Sequence, residues 1–266
     1  MSISFRKMHA HGDHFVVLDA RGRSNPITPD LARRLGDRKQ GIGFNQLAVI
    51  QDCSDAYARL EFWNPDGTTV GACGSATRGV AHLLMRETGQ SALILRTERG
   101  LLACEQADNG RVSVDMGEPL LDWRSIPLSE PVDTLRLPID GEPSVCSMGN
   151  PHCTFFVEDI TKVDPTVLGP PIERHPLFPQ KVNVHFVQVL DPDRIRLRIW
   201  ERGGGVPAGS GSCSCGAAVA AIRRGLVKQT VEVVCDGGPV QVMWPGAGGV
   251  KLTGPVEEIF AGTISM

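Results

Sequence analysis

The sequence predicts an α+β fold of two pseudo-symmetric domains, each a mostly antiparallel sheet or barrel wrapped on a central helix. Three observations predict it: a duplication at one constant offset, many short strand-like runs, and an alanine-rich helix led by a Gly-Ser turn in each half.

The duplication comes first. Residues 59–63 read RLEFW and residues 196–200 read RLRIW, an offset of 137 residues. At that offset Gly12-Asp13 falls on Gly149-Asn150, Gln46 on Asn183, Gly67 on Gly204, Cys73-Gly74-Ser75 on Ser210-Gly211-Ser212, and Gly117 on Gly254. A period this long means two copies of a domain rather than a solenoid. The expected domains are 1–120, joined by a returning C-terminal strand within 255–266, and 121–254. The join is expected near 118–130, where Pro, Ser and acidic residues collect.

Runs rich in Val, Ile, Leu and Phe predict the strands: FVVLD, LAVIQ, ARLEFW, ALILRT and RVSVDM in the first half, then CTFFVED, VHFVQVL, RIRLRIW, VEVVC and VQVMW in the second. Pro-Gly and Asn-Gly type dipeptides separate several of them. Thr28-Pro29 predicts a helix start for ITPDLARRLGDRK, with a hydroxyl cap and proline at the first helical position. Two further helices are expected over 75–88 and 212–224.

Composition narrows the function. The 266 residues carry a net charge of −3, with 41% hydrophobic and 21% charged residues. That balance disfavours a coat for nucleic acid or an anionic membrane. No apolar run reaches the roughly 18–20 residues of a membrane span. The opening stretch MSISFRKMHAHGDHF lacks the apolar core of a signal peptide, so a cytoplasmic location is expected. Without an export signal, Cys53, Cys73, Cys104, Cys146, Cys153, Cys213, Cys215 and Cys235 are expected as thiols. The one close pair is Cys213-x-Cys215, with no second pair and no His-x-x-x-His, so no metal site is expected.

The chemistry concentrates at the two matched turns. Ala72-Cys73-Gly74-Ser75 lies between a strand and a helix. Gly74 lets the backbone turn and leaves its N–H uncovered. The first N–H groups of a helix lack internal partners, and with the helix dipole they form an anion site suited to a carboxylate. The same field favours the thiolate of Cys73. By itself a cysteine before such a turn is an ordinary packing residue; the repeat at Gly209-Ser210-Gly211-Ser212 favours the chemical reading. Two such turns facing each other would hold a carboxylate with one side chain on each face of its α-carbon. That is the geometry of a two-base 1,1-proton transfer, with the carbanion stabilised by N–H donors and needing no cofactor. The lesser alternative is that the second turn is a structural remnant.

The motifs resemble the diaminopimelate epimerase family over essentially the whole length. FRKMHAHGDHFVVLD resembles its opening KMHGLGNDFVV, GIGFNQL resembles GVGCDQL, and FWNPDGTTVGACGSATRGVA resembles the FNADGSE…CGNGARC segment. MGNPH, NVHFVQV, IRLRIWERGGG and the last helix segment, which resembles ERGxGxTxACGTGACAAA, complete the set. The resemblance implies two similar domains with the active site between them. It implies cofactor-free conversion of LL-diaminopimelate to the meso form, in lysine and cell-wall synthesis. Partners implied are a small amino-acid substrate and at most a second copy of the chain, giving a monomer or homodimer.

In the family two cysteines exchange protons. Cys73 matches the first, and Ser210 stands at the second. His152 and Glu201 match residues that assist the pair. Asn64, Asn183, Glu201 and Arg202 match the family's distal recognition set, and Gln46 and Asn150 match as well. Asp13, Gly74, Ser75, Gly211 and Ser212 complete the expected contacts to substrate. Asp13 stands where the family has Asn, Asn45 where Asp is usual, and Ser75 where Asn follows the first cysteine and glycine.

A serine hydroxyl is a poor acid or base at neutral pH. Three readings therefore stand open. The chain is a diaminopimelate epimerase, slow or assisted; it is a one-thiol racemase, isomerase or dehydratase on a related amino acid; or it is a non-catalytic amino-acid-binding paralogue.

Overall fold

The computed structural model describes residues 2–203 and 205–265. The pairing of Gly67 with Gly204 lies outside the described residues. The chain divides into two compact units, Met1–Asp115 with Thr253–Met266, and Met116–Leu252.

The first unit contains β1 (Ser2–Ala10), β2 (Asp13–Asp19), α1 (Pro29–Gly36), β3 (Gln46–Gln51), β4 (Ala58–Trp63), β5 (Thr69–Val70), α2 (Gly74–Thr88), β6 (Ala92–Thr97), β7 (Gly100–Gln106) and β8 (Val112–Asp115). The second contains β9 (Ser144–Ser147), β10 (Pro151–Phe156), α3 (Pro165–Glu173), β11 (Asn183–Asp191), β12 (Arg194–Trp200), α4 (Gly211–Arg223), β13 (Thr230–Cys235) and β14 (Gly238–Met243). β15 (Lys251–Gly254) lies at the end of this unit, and β16 (Glu257–Ser265) belongs to the first.

In the first unit the strand order is β16-β1-β2-β3-β4-β6-β7-β8, with β5 paired to β4. In the second it is β9-β10-β11-β12-β13-β14-β15. Both sheets are mixed. β2–β3 and β4–β6 run parallel in the first, and β10–β11 and β12–β13 run parallel in the second. The other registered pairs are antiparallel. The duplication holds to the residue: Phe15 opposes Gln46 across β2–β3, and His152 opposes Asn183 across β10–β11. The returning strand expected at the C-terminus is β16, antiparallel to β1.

Each sheet buries a helix on its inner side. α2 packs on β1, β2, β3, β6, β7 and β8, and α4 on β9 through β14. Small residues permit that burial. Gly79 lies so close to the Phe15 ring that a Cβ there would clash, and Gly216 stands in the same relation to His152. The outer faces carry separate apolar clusters. Val16, Leu18, Leu47 and Val49 pack with Ala32 and Leu35 of α1. Cys153, Phe155, Val184 and Phe186 pack with Ile126, Leu128 and Leu137. The segment expected as a join thus contributes core side chains to the second unit.

Local rules explain the helix ends. Thr28 caps α1 by accepting from Leu31 N–H at 3.2 Å, with Pro29 entering the first turn. α1 stops at Gly36, short of the predicted Lys39, because the Asp37 carboxylate accepts the N–H groups of Lys39 and Gln40 and holds a turn instead. Gly89 ends α2 in the left-handed conformation at φ 72°. α3 lies outside the helices the sequence predicts, and Pro165, Pro170 and Pro171 fall within it. Asp164 caps it, Pro165 enters at its first turn, and Gly169 brings its backbone against the Trp200 ring.

Candidate functional site

The two matched turns form helix starts, as the repeat predicts. Cys73 is the N-cap of α2, with extended backbone at φ −146° and ψ 104°. Its Sγ accepts the Ala76 N–H at 3.4 Å, and its S–H donates to Gln46 Oε1 at 3.5 Å. The thiol is buried to 9% exposure. No acidic residue belongs to the first turn of α2, and the buried Asp13 carboxyl reaches that turn through Ser75. Gly74 and Ser75 are buried beside it.

Behind this turn lies a polar cluster. Asn45 Nδ2 donates to Asp13 Oδ1 at 2.8 Å, and Arg38 Nη2 donates to Asn45 Oδ1 at 2.6 Å. Asp13 and Asn45 each depart from the family pattern, yet they depart together. Here the two side chains form one amide–carboxylate pair. Burial raises the Asp13 carboxyl pKa, while Asn45, Ser75 and the Arg78 charge oppose that rise. Arg78 is wholly buried and donates to His11 Nδ1 at 3.0 Å. Burial first, then the charge on Arg78, lowers the His11 pKa to about 3. The motif reading missed both residues, although Arg78 shares the first turns of α2 with Cys73.

In the second unit Ser210 is the N-cap of α4, at φ −151° and ψ 127°, and its hydroxyl makes no capping bond. Gly211 is buried and Ser212 half-buried next to it. The Glu201 charge acts on the nearby Cys213 thiol, whose pKa burial raises well above the ordinary thiol range. His152 is fully buried, and its Nε2–H donates to Asn150 Oδ1 at 2.9 Å. Asn183 Nδ2 donates to the Pro151 carbonyl at 2.9 Å, and its Oδ1 accepts the Arg202 backbone N–H at 3.0 Å. The Arg202 guanidinium is exposed and reaches the Gln180 carbonyl at 3.5 Å.

The structure thus brings together Asp13, Gln46, Cys73, Gly74 and Ser75 in one unit. It brings together Asn150, His152, Asn183 and the Arg202 backbone in the other, with Ser210, Gly211 and Ser212 at the start of α4. Asn64 stands apart at the turn after β4, where its Nδ2 donates to Thr68 Oγ1 at 3.0 Å. His185 and Cys213 were not expected at the site, and they lie against His152. All eight cysteines are thiols. Among the described residues no helix is long and apolar enough to cross a membrane.

The duplicated sheet-and-helix fold is one already known. A phenazine biosynthesis protein of the PhzF family from Bacillus anthracis matches with a TM-score of 0.73 at 16% identity, over 100% of both chains. At that identity the likeness is one of fold. Sequence carries the assignment further. The model of the diaminopimelate epimerase family matches residues 5–121 and 144–259, one span in each half. The diaminopimelate epimerase of Acidiphilium cryptum is 46% identical over 265 residues, covering 98% of this chain and 95% of that one. That of Rhodospirillum centenum is 45% identical, covering 98% and 92%. The chain belongs to the diaminopimelate epimerase family.

Proposed function

We propose that this protein is a diaminopimelate epimerase, an isomerase that inverts one α-carbon of LL-diaminopimelate to give the meso form. One observation carries the reading within the family: the Cys73 thiol caps the N-terminus of α2 and donates to Gln46. An α-carboxylate bound to the free N–H groups of that turn brings its α-proton beside the sulfur. The thiolate removes the proton, the N–H donors stabilise the charge that spreads onto the carboxylate, and a proton delivered to the opposite face of the α-carbon completes the inversion. Asn183 and Arg202, with Asn64 as the resemblance implies, recognise the distal amino-acid head, with Glu201 opposite its ammonium group. His152, held by Asn150, assists the proton transfer.

A second reading has its own observation. Ser210 stands at the second thiol position, and a hydroxyl is a weak partner for Cys73. On this reading the chain is a one-thiol enzyme acting on a related amino acid. Incubation with LL-diaminopimelate in D2O, followed by NMR of the α-proton, separates the two. The epimerase reading expects deuterium incorporation with inversion. Incorporation with retention supports the one-thiol reading, and binding with no incorporation overturns both.

A further inference from the structure

The two halves differ most sharply where their inner helices meet their sheets. At the 137-residue offset, Phe15, Ala48 and Ala76 of the first unit become His152, His185 and Cys213 of the second. All six are buried. The close helix–strand approach is kept, since a Cβ on Gly216 would lie 2.8 Å from His152 Cγ, as one on Gly79 would strike Phe15. An apolar contact in one copy has therefore become a cluster of two imidazoles and a thiol in the other.

The geometry of that cluster is specific. His152 Nδ1 lies 3.3 Å from His185 Nε2, and these atoms and Cys213 Sγ all lie within 4.8 Å of one another. Two nitrogens at about 2.0–2.1 Å from one tetrahedral ion stand roughly 3.3–3.4 Å apart. The outer nitrogens of both rings are engaged. His152 Nε2–H donates to Asn150 Oδ1 at 2.9 Å, and His185 Nδ1–H can donate to Thr154 Oγ1 at 3.1 Å. Such outer partners fix the tautomers of metal-ligating histidines. With both in place, a lone pair on each ring faces the other, and a cation between them relieves the repulsion.

We propose that His152 Nδ1, His185 Nε2 and Cys213 Sγ bind one borderline-soft divalent cation of the zinc or cobalt(II) kind. Binding forms two metal–nitrogen bonds and one metal–sulfur bond, and the Cys213 thiol releases its proton to solvent. The site shares His152 with the proton-transfer reading, but it requires no substrate. The three ligands come from β10, β11 and α4, which is why a search for close cysteine and histidine spacings passes over them.

The test uses the full chain, stripped with a chelator and titrated with cobalt(II) alone. We expect saturation at about one cobalt per chain, release of about one proton per ion, and a thiolate-to-cobalt absorption band in the near ultraviolet. Cys213→Ala, which restores the side chain of the first unit, should abolish the band, while Cys73→Ala should retain it. His185→Ala should weaken binding by at least about tenfold. If that variant does not fold, Cys213→Ala still decides the matter. Absence of the band, or its survival in Cys213→Ala, overturns the proposal. A metal-free chain of hydrogen bonds from Thr154 through His185 to His152 would then account for the cluster.

Discussion

The starts of α2 and α4 are two copies of one backbone device. Thr77 N–H donates to the Cys73 carbonyl at 2.9 Å, and Ser214 N–H donates to the Ser210 carbonyl at 3.0 Å. The Thr77 and Ser214 hydroxyls reach those same carbonyls at 2.8 and 2.9 Å. The side chains of the cap residues then part company. Cys73 Sγ takes up the Ala76 N–H, whereas the Ser210 hydroxyl caps nothing. The backbone turn is thus kept in the second copy, while its cap side chain carries oxygen in place of sulfur.

The sharpest way to break this comparison is to remove the thiol. Cys73→Ala should lower turnover of LL-diaminopimelate by about 10³-fold or more, measured as kcat with the circular dichroism unchanged. A loss of less than about tenfold would take the working role away from Cys73. The reverse experiment restores symmetry. Ser210→Cys should raise kcat by about 10- to 100-fold if only the second thiol is wanting, and an unchanged rate would sink that explanation.

Packing offers a paired test of the two inner helices. Gly79→Ala and Gly216→Ala each gain up to about 1 kcal/mol of helix propensity. Each also forces a methyl group into Phe15 or His152, at a cost of about 1–3 kcal/mol. Crowding should win, more clearly at Gly79, where the contact is tighter. Denaturant midpoints that fall in both variants support the equivalence of the two contacts; a silent Gly79→Ala would refute it.

Titration supplies the smallest contrast, since the first unit buries His11 where the second has Met148. The native His11 pKa is lowered from 6.5 to about 3. Below pH 6.5 the unfolded chain takes up a proton that native His11 refuses until about pH 3, so this contribution is complete above pH 6.5 and is lost as pH falls through that window. His11→Asn, compatible with the φ of 41° at this position, should flatten the pH dependence of stability by up to about 1.4 kcal/mol per pH unit. Parallel stability profiles for variant and parent between pH 6.5 and 4 would contradict the buried neutral state, a window set by the shift itself.

Much of this was legible in the sequence because the information was local or repeated. The constant offset located β10, β11, β12 and α4 from β2, β3, β4 and α2, and the turn residues marked both helix starts. What escaped was nonlocal. The prolines of α3 advertise a break, while its support comes from the Trp200 ring on another element. Asp13 and Asn45 read as two separate departures in the sequence, and their 2.8 Å bond shows that they meet. His185 lies inside NVHFVQV and Cys213 inside the Cys213-x-Cys215 pair, yet neither pattern shows their meeting, because the residues they touch lie on other elements.

The pairing of β16 with β1 also bears on how the chain is made. A ribosome delivers β1 first and its partner last, so the edge of β1 waits without its neighbour for nearly the whole of translation. The second unit is contiguous and is complete once Leu252 has emerged. Synthesis therefore finishes the later copy before the earlier one, and a truncation of the last ten residues would leave the first-made unit with an open sheet edge.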